Sequence, residues 1–461
     1  MTSALRAIVL AAGKGTRMNS ARPKVLHSAA GRPLLDYVLD RCRDVEAETL
    51  VVVGHEAEAV QGACFGRPGL AFATQVPLLG TGHAVQIALS KMSLEGSESV
   101  LVLAGDVPLL RAETLRELCA LRRATLAAAA LISFRTSSPS AYGRIVRDGE
   151  GRVARIVEAK DATPAEFSID EVNASLYVFD AARLRETIRN LRPNNAQGEF
   201  YLTDVVGLMV KAGDRVEALV VDDATEATGV NTTVELAIVE REIYARRAQG
   251  FLAAGVSIER PDTVLLGPAV RVSPGAQIRA FTILEGSTRI ESRAVVGPFC
   301  RIEDSEIGEG AVILDSCLVR GSKISAGASV GPFAHIRPES VVGENAKVGN
   351  FVELKKTTLG AGAKAPHLSY LGDATIGAKA NIGAGTITCN YDGVVKSPTT
   401  IEDGAFVGSN SILVAPVTIG RGAYIAAGSV ITKDVPEEAL GLGRARQENK
   451  AGWAARRPKK H

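Results

Sequence analysis

Residues 324–354 read ISAGASVGPFAHIRPESVVGENAKVGNFVEL. Aliphatic side chains stand at Ile324, Val330, Ile336, Val342, Val348 and Leu354, one every six positions. A six-residue step would carry them around an α-helix instead of keeping them on one face, so the helical reading fails. Small residues sit two places ahead of several of these, as at Ala328 and Ala346, and along an extended strand both members of such a pair point inward. Short strands separated by regular turns, each giving an aliphatic side chain to a shared interior, describe a parallel β-helix. The same rhythm runs through Ile278, Leu284, Ile290, Val296 and Ile302, with Ala294, and through Ile401, Val407, Leu413, Ile419, Ile425 and Ile431, with Ala405 and Ala423. It slips between Ile302 and Ile324 and again between Ile382 and Ile401, where insertions are expected to form loops. The second slip holds GAGTITCNYDGVVKSPTT, and KAPHLSYLGD comes just before it.

Before residue 255 the pattern is different. Strand-like runs such as AIVLAA, TLVVVG and SVLVLAGD alternate with helical spacing such as Leu34, Leu35, Val38, Leu39 and Cys42. That alternation predicts a Rossmann-like α/β domain, its mostly parallel sheet covered by helices on both faces and its ligands beyond the carboxyl ends of the strands. YGRIVRDGEGRVARIVE reads as a hairpin turning near Asp148-Gly149, a flap beside the pocket. Residues 232–254 read as one connecting helix: Thr232 and Glu235 have capping-box spacing, and Gly255 suits the stop. The expected divisions are 1–233, a helical linker over 234–254, and the β-helix with its tail over 255–461.

A chain of 461 residues, 46% apolar and 23% charged, fits a globular protein of at least two domains. A net charge of +2 gives no case for nucleic acid or an acidic membrane, and only the terminal ARRPKKH is locally basic. No apolar stretch approaches the ~20 residues of a membrane span. The six cysteines form no CxxC pair and are spread along the chain, which favours reduced thiols and a cytoplasmic protein.

LAAGKGTRMNSARPK, residues 10–24, follows the first strand as a phosphate loop would. It fits neither common nucleotide motif: Met18 stands where a dinucleotide loop needs its third glycine, and Gly13-Lys14 is followed by Gly15 where a Walker loop needs Ser or Thr. Gly13 and Gly15 would still admit backbone amides to a triphosphate, while Arg17 and Lys24 would offset its charge. Asp106 ends an apolar strand, as suits a carboxylate presenting a hard oxygen to Mg²⁺. Asn231, taken alone, reads as a helix cap.

LAAGKGTRM, Pro23-Lys24, QVPLLGTGHA and LAGDVPLL together resemble the sugar-nucleotide pyrophosphorylases. Joined to hexapeptide repeats, the chain resembles over nearly its whole length the bifunctional N-acetylglucosamine-1-phosphate uridyltransferase/glucosamine-1-phosphate acetyltransferase family. The repeats resemble the left-handed β-helix acyltransferases, three-sided and trimeric. Hand and homotrimer come from that resemblance, since ordinary β crossovers are right-handed. The implied activity is acetyl transfer from acetyl-CoA to glucosamine 1-phosphate, then Mg²⁺-dependent uridylyl transfer from UTP to N-acetylglucosamine 1-phosphate, giving UDP-N-acetylglucosamine and pyrophosphate.

The resemblance implies Asp106 and Asn231 as the metal ligands, with Arg17 and Lys24 as catalytic cations. It lays Leu10, Ala11, Ala12, Gly13, Ala104 and Gly105 along the nucleotide, Gln75, Gly80 and Thr81 at uracil, and Gly143, Glu158 and Asn173 at the sugar. In the repeats it implies His367 as the proton acceptor and Arg337, Lys355, Tyr370 and Asn381 at the sugar phosphate. Ala384, Asn390, Tyr391, Ser409, Ala427 and Arg444 would hold acetyl-CoA. An imidazole titrating near neutrality suits removal of a proton from the sugar ammonium. Two departures stand out: Ala104 replaces the family's tyrosine before Gly-Asp, and Pro366 replaces glycine before His367. Trp453, in the basic tail, suits either a cover over the cofactor or packing on a neighbouring subunit. The competing reading is a nucleotidyltransferase whose β-helix only regulates or oligomerises; His367, the Asn390-Tyr391 loop and the long tail argue against it.

Overall fold

The structure, a computed structural model, describes residues 5–13, 15–18, 20–94, 99–137, 139 and 142–458. Lys14, of the loop just discussed, and Lys459, Lys460 and His461 of the basic tail lie outside the described residues. The chain divides into two compact units, Met1–Ile243 and Tyr244–His461.

The first unit is built on β1 (Arg6–Ala11), β2 (Glu48–Val53), β3 (Leu70–Thr74), β4 (Ser99–Ala104), β5 (Ala129–Arg135), β6 (Arg144–Arg147), β7 (Val153–Val157), β8 (Glu171–Asp180) and β9 (Val216–Val220). Its main path runs β9-β5-β8-β4-β1-β2-β3. Neighbours are parallel except β8, which is antiparallel to both β4 and β5. β1 lies between β4 and β2, which is why its apolar run has no polar alternation: Ala7, Ile8 and Val9 are all fully buried. Val9 packs on the face covered by Leu35, Val38 and Cys42, and Ile8 on the face covered by Ala84, Val85 and Ala88. The order reverses beside β1, so a crevice opens at the carboxyl ends of β1 and β4.

The hairpin β6/β7 turns at Asp148, whose carboxylate accepts the N–H groups of Glu150 and Arg152, each at 2.9 Å. It is not a free-standing flap, because Arg144 of β6 pairs with Val172 of β8 and stitches it to the sheet. The helix Thr233–Ala253 starts with a reciprocal cap: Thr232 Oγ1 accepts from Glu235 N (3.2 Å) and Glu235 Oε2 accepts from Thr232 N (2.8 Å). Gly255 ends it with φ +88°.

The second unit is a three-walled parallel β-helix, with walls of 11, 10 and 9 strands among the described residues. Each strand pairs with the one a full coil later, as in Ile278↔Val296, Leu284↔Ile302 and Ile290↔Ile307. The inward aliphatic and small residues form one continuous buried column. The first slip in the repeat is not an insertion. The interior step shortens to five residues at Ile302 to Ile307 and again at Val319 to Ile324, and later at Leu354 to Leu359 and Leu371 to Ile376. Each shortened corner turns on one residue with φ of 47–48°, namely Asp304, Gly321, Lys356 and Asp373. The single long excursion, from buried Thr388 to buried Ile401, leaves from the same corner. One edge of the prism therefore absorbs these changes in length while the interior columns stay in register.

Candidate functional site

The crevice of the first unit is closed by backbone. Gly105 N–H donates to the Leu10 carbonyl (3.0 Å), drawing the end of β4 onto the end of β1. A Cβ on Gly105 would come within 3.0 Å of that carbonyl oxygen and 3.2 Å of Val25 Cγ1, so close approach requires glycine there. Asp106 follows, only 7% exposed, and its carbonyl accepts Val230 N–H (2.9 Å), which brings the 229–231 segment alongside. Asn231 Oδ1 accepts from Lys24 Nζ and from Arg17 Nη2, both at 3.0 Å, and Lys24 Nζ also bonds Asp106 Oδ2. Thr232, not Asn231, supplies the side-chain cap of the helix, so the Asn231 carboxamide oxygen is directed at the cations. Gly15, with φ +62°, lies where a Cβ would be 2.7 Å from Lys24 Cβ, which packs the loop directly against the lysine stem.

One carboxylate and one carboxamide oxygen are hard donors facing a common point. Among the described residues no group of three or more His, Cys, Asp or Glu could cage a metal. That donor set fits Mg²⁺, which commonly takes one or two protein oxygens and completes its shell with phosphate and water.

Gln75 is buried; its amide N–H groups reach the Gly80 carbonyl (2.9 Å) and His83 Nδ1 (3.1 Å). Gly80, with φ +103°, packs where a Cβ would be 2.7 Å from the Phe200 carbonyl, and Thr81 Oγ1 accepts Leu202 N–H (3.0 Å). Gly143, Glu158 and Asn173 come together: the Gly143 carbonyl accepts Asn173 N–H (2.8 Å), and a Cβ on Gly143 would be 3.6 Å from Glu158 Oε1. The β8–β5 register shifts between Asn173 and Tyr177, with Ser175 at φ +58°. Across that bulge Asn173 Nδ2 donates to Tyr177 Oη (2.6 Å) and its Oδ1 accepts Ser175 N–H (3.2 Å). Burial raises the Glu158 carboxyl above its ordinary range; the Thr203 hydroxyl (3.0 Å) opposes this, and Asp204 and Asp161 add to it. His83, Tyr177 and Thr203 were not singled out in the sequence, although His83 lies within the quoted QVPLLGTGHA.

In the second unit a cleft of about 650 Å³ is lined by Phe351, Glu353, Leu368, Tyr370, Ala384 and Ser409, among others. Glu353 binds Arg337 (2.8 Å), tying that cation to the cleft, and its carboxylate holds the guanidinium above its ordinary pKa. His367 precedes the lining residue Leu368, and its Nδ1 lies 2.8 Å from Asn350 Oδ1, a residue in register with it one coil earlier. Lys355, Asp373 and Asn390 form a second group, with Lys355 Nζ 3.1 Å from Asp373 Oδ2 and Asn390 Nδ2 donating to the same oxygen. Burial pushes the Asp373 carboxyl up, but Asn390 and Lys355 outweigh it and hold it below its usual range. Lys396, returning from the long excursion, is pushed down by the neighbouring Lys355 ammonium. Asn381 sits on the wall strand that pairs with Lys364, Tyr391 is exposed on the excursion, and Arg444 donates to the Ala427 carbonyl (2.9 Å). Trp453 is exposed, with Arg457 5.1 Å above its ring. Asn350, Glu353 and Asp373 were missed in the sequence because each is marked by its bond to a residue one coil away.

Residues 7–198 match the MobA-like NTP transferase domain, residues 266–359 the GMPPB C-terminal domain, and residues 398–433 the bacterial transferase hexapeptide repeats. The bifunctional protein GlmU of Anaeromyxobacter dehalogenans (strain 2CP-C) is 51% identical, covering 98% of this chain and 93% of its own. The chain belongs to the GlmU family. GlmU of Streptococcus suis (strain 98HAH33) is 47% identical over 98% of both chains, and GlmU of Pseudoalteromonas atlantica 44% over 98% of both. As a GlmU the chain is a bifunctional enzyme of UDP-N-acetylglucosamine synthesis, a nucleotidyltransferase followed by a hexapeptide acetyltransferase in a left-handed parallel β-helix. A β-helix that merely regulates is thereby set aside. Among the described residues no helix is long and apolar enough to cross a membrane.

Proposed function

We propose that the residues grouped above divide the two half-reactions between the units, with domain limits of 1–233, 234–254 and 255–461. In the first, the loop from Leu10 through Ala11 and Ala12 to Gly13, with Ala104 and Gly105, receives UTP, and Gln75, Gly80 and Thr81 read the uracil. Gly143, Glu158 and Asn173 hold N-acetylglucosamine 1-phosphate so that its phosphate oxygen attacks the α-phosphorus as pyrophosphate leaves. Asp106 and Asn231 would hold Mg²⁺, which when bound would neutralise triphosphate charge and stabilise the charge that develops on the transferring uridylyl group. Lys24 and Arg17 supply the remaining positive charge, and catalysis is largely positioning and electrostatics. The observation that carries this reading is the convergence of Lys24 and Arg17 on the Asn231 oxygen beside Asp106.

In the second unit His367 is the base. Donation from Nδ1–H to Asn350 leaves the Nε2 lone pair to take a proton from the ammonium group of glucosamine 1-phosphate. The freed amine attacks the acetyl-CoA thioester, and coenzyme A leaves. Arg337 and Lys355 offset the sugar phosphate, Tyr370 and Asn381 contact the sugar, and Ala384, Asn390, Tyr391, Ser409, Ala427 and Arg444 hold the coenzyme. A cytoplasmic homotrimer is the setting we propose. Two variants test the division: His367→Ala should lower acetyl transfer by about 100-fold or more and leave uridylyl transfer intact, and Asp106→Ala should do the reverse. Loss of both activities in either variant, or of neither, would refute it.

A further inference from the structure

One position on the outer face of the second wall departs from its neighbours. Successive coils present Glu285, Glu303, Arg320, Arg337 and Lys355 there, and Lys355 is then paired with Gly372. The backbone does not call for glycine, since Gly372 lies outside the residues with positive φ. Space does: a Cβ on Gly372 would be 2.5 Å from Tyr370 Oη, 2.7 Å from Cζ and 2.9 Å from Cε1. Residues two apart on a strand share a face, so the phenol ring lies where a side chain at 372 would stand. The Glu353 and Asp373 carboxylates hold Arg337 and Lys355 above their ordinary pKa, and Tyr370 adds to both in the same direction.

A second observation comes from inside the wall. Thr388 is 1% exposed at an interior position that Leu354, Leu371 and Leu413 fill with aliphatic side chains. Its hydroxyl accepts Gly372 N–H (2.7 Å) and donates to the Gly372 carbonyl (3.0 Å). The register between these two strands is the single pair Tyr370↔Ile387, so the hydroxyl takes over where the backbone ladder lapses. A buried hydroxyl is tolerated only when bonded, and here the two shorter bonds go to one glycine, with a longer reach to the Tyr370 carbonyl (3.5 Å).

We propose that Gly372, clamped by Thr388, is a positioning residue of the acetyltransferase: its missing side chain seats the Tyr370 phenol beside Arg337 and Lys355, where glucosamine 1-phosphate is recognised. This rests on the acetyltransferase site assigned above. The test is steady-state acetyl transfer by the full-length protein, read as thiol release, with uridylyl transfer as the internal control. Gly372→Ala should raise KM for glucosamine 1-phosphate about tenfold with kcat within about twofold, the signature of lost binding without lost chemistry. In a Tyr370→Ala background the added methyl has no ring to displace, so the two changes should be non-additive. Thr388→Val keeps the interior shape, removes the clamp and should raise KM in the same direction; it decides the matter if Gly372→Ala does not fold. The proposal is overturned if Gly372→Ala multiplies the Tyr370→Ala defect, or if Gly372→Ala or Thr388→Val leaves KM unchanged while Tyr370→Ala raises it. If Tyr370→Ala itself has no effect on KM, the site assignment fails first and takes the proposal with it.

Discussion

Asn173 illustrates how a buried neighbour sets the chemistry of a single side chain. One of its N–H bonds goes to Tyr177 and its oxygen takes the Ser175 N–H, which leaves the second N–H for the sugar contact proposed above. Tyr177→Phe should therefore raise KM for N-acetylglucosamine 1-phosphate about three- to tenfold and destabilise the first unit by about 1 kcal/mol, because a buried N–H loses its acceptor. Kinetics and thermal melts together check this; unchanged kinetics would mean the amide is oriented by Ser175 alone. Glu158 gives a pH dependence. Its carboxyl is raised, burial being the largest cause, above an ordinary value of 4.5. Below that value the group is protonated in both folded and unfolded chains and contributes nothing to stability. As pH rises through 4.5 toward the folded value, unfolding releases a proton, so the buried carboxyl subtracts stability, fully so above the folded value. Glu158→Gln should raise Tm at neutral pH and leave it unchanged near pH 4, while weakening sugar-phosphate binding. An equal Tm gain at both pH values would locate the effect elsewhere.

The elements differ in how legible they were. The six-residue rhythm of Ile324 to Leu354 exposed the β-helix because each coil repeats one inward column, and burial of an aliphatic side chain is a strong and simple requirement. The shortened corners at Asp304 and Asp373 were not legible, because a five-residue step needs only one residue at φ near +48° and leaves no composition signal. The capping box at Thr232 and Glu235 was readable because its two bonds lie within four residues, whereas the Asn350–His367 and Lys355–Asp373 pairs span a full coil. Ile336→Ala, in the middle of the interior column, should cost about 2–5 kcal/mol, read as a loss in denaturant midpoint. Thr232→Ala should cost only about 1 kcal/mol, since it removes one cap from a 21-residue helix. A comparable loss from both would mean that the column relaxes around its cavity.

At the scale of the whole molecule, the residues assigned to each half-reaction come from one unit alone: Lys24, Asp106 and Asn231 from the first, His367, Arg337 and Lys355 from the second. The paired hard oxygens of Asp106 and Asn231 belong to the first set, while the second offers an imidazole and cations whose carboxylate partners, Glu353 and Asp373, are already bound. The two activities should therefore respond oppositely to chelation. Stripping divalent cations with EDTA should abolish uridylyl transfer, with recovery on adding Mg²⁺, because triphosphate charge would face only Lys24 and Arg17. Acetyl transfer in the same sample should keep its rate, since an amine attacking a thioester needs a base and phosphate-binding cations, all carried by the chain. Asn231→Ala should shift the Mg²⁺ concentration for half-maximal uridylyl transfer upward several-fold and leave acetyl transfer unmoved. If chelation slowed both reactions equally, a metal would have to serve the β-helix as well, and the assignment of charge neutralisation there to Arg337 and Lys355 would be wrong.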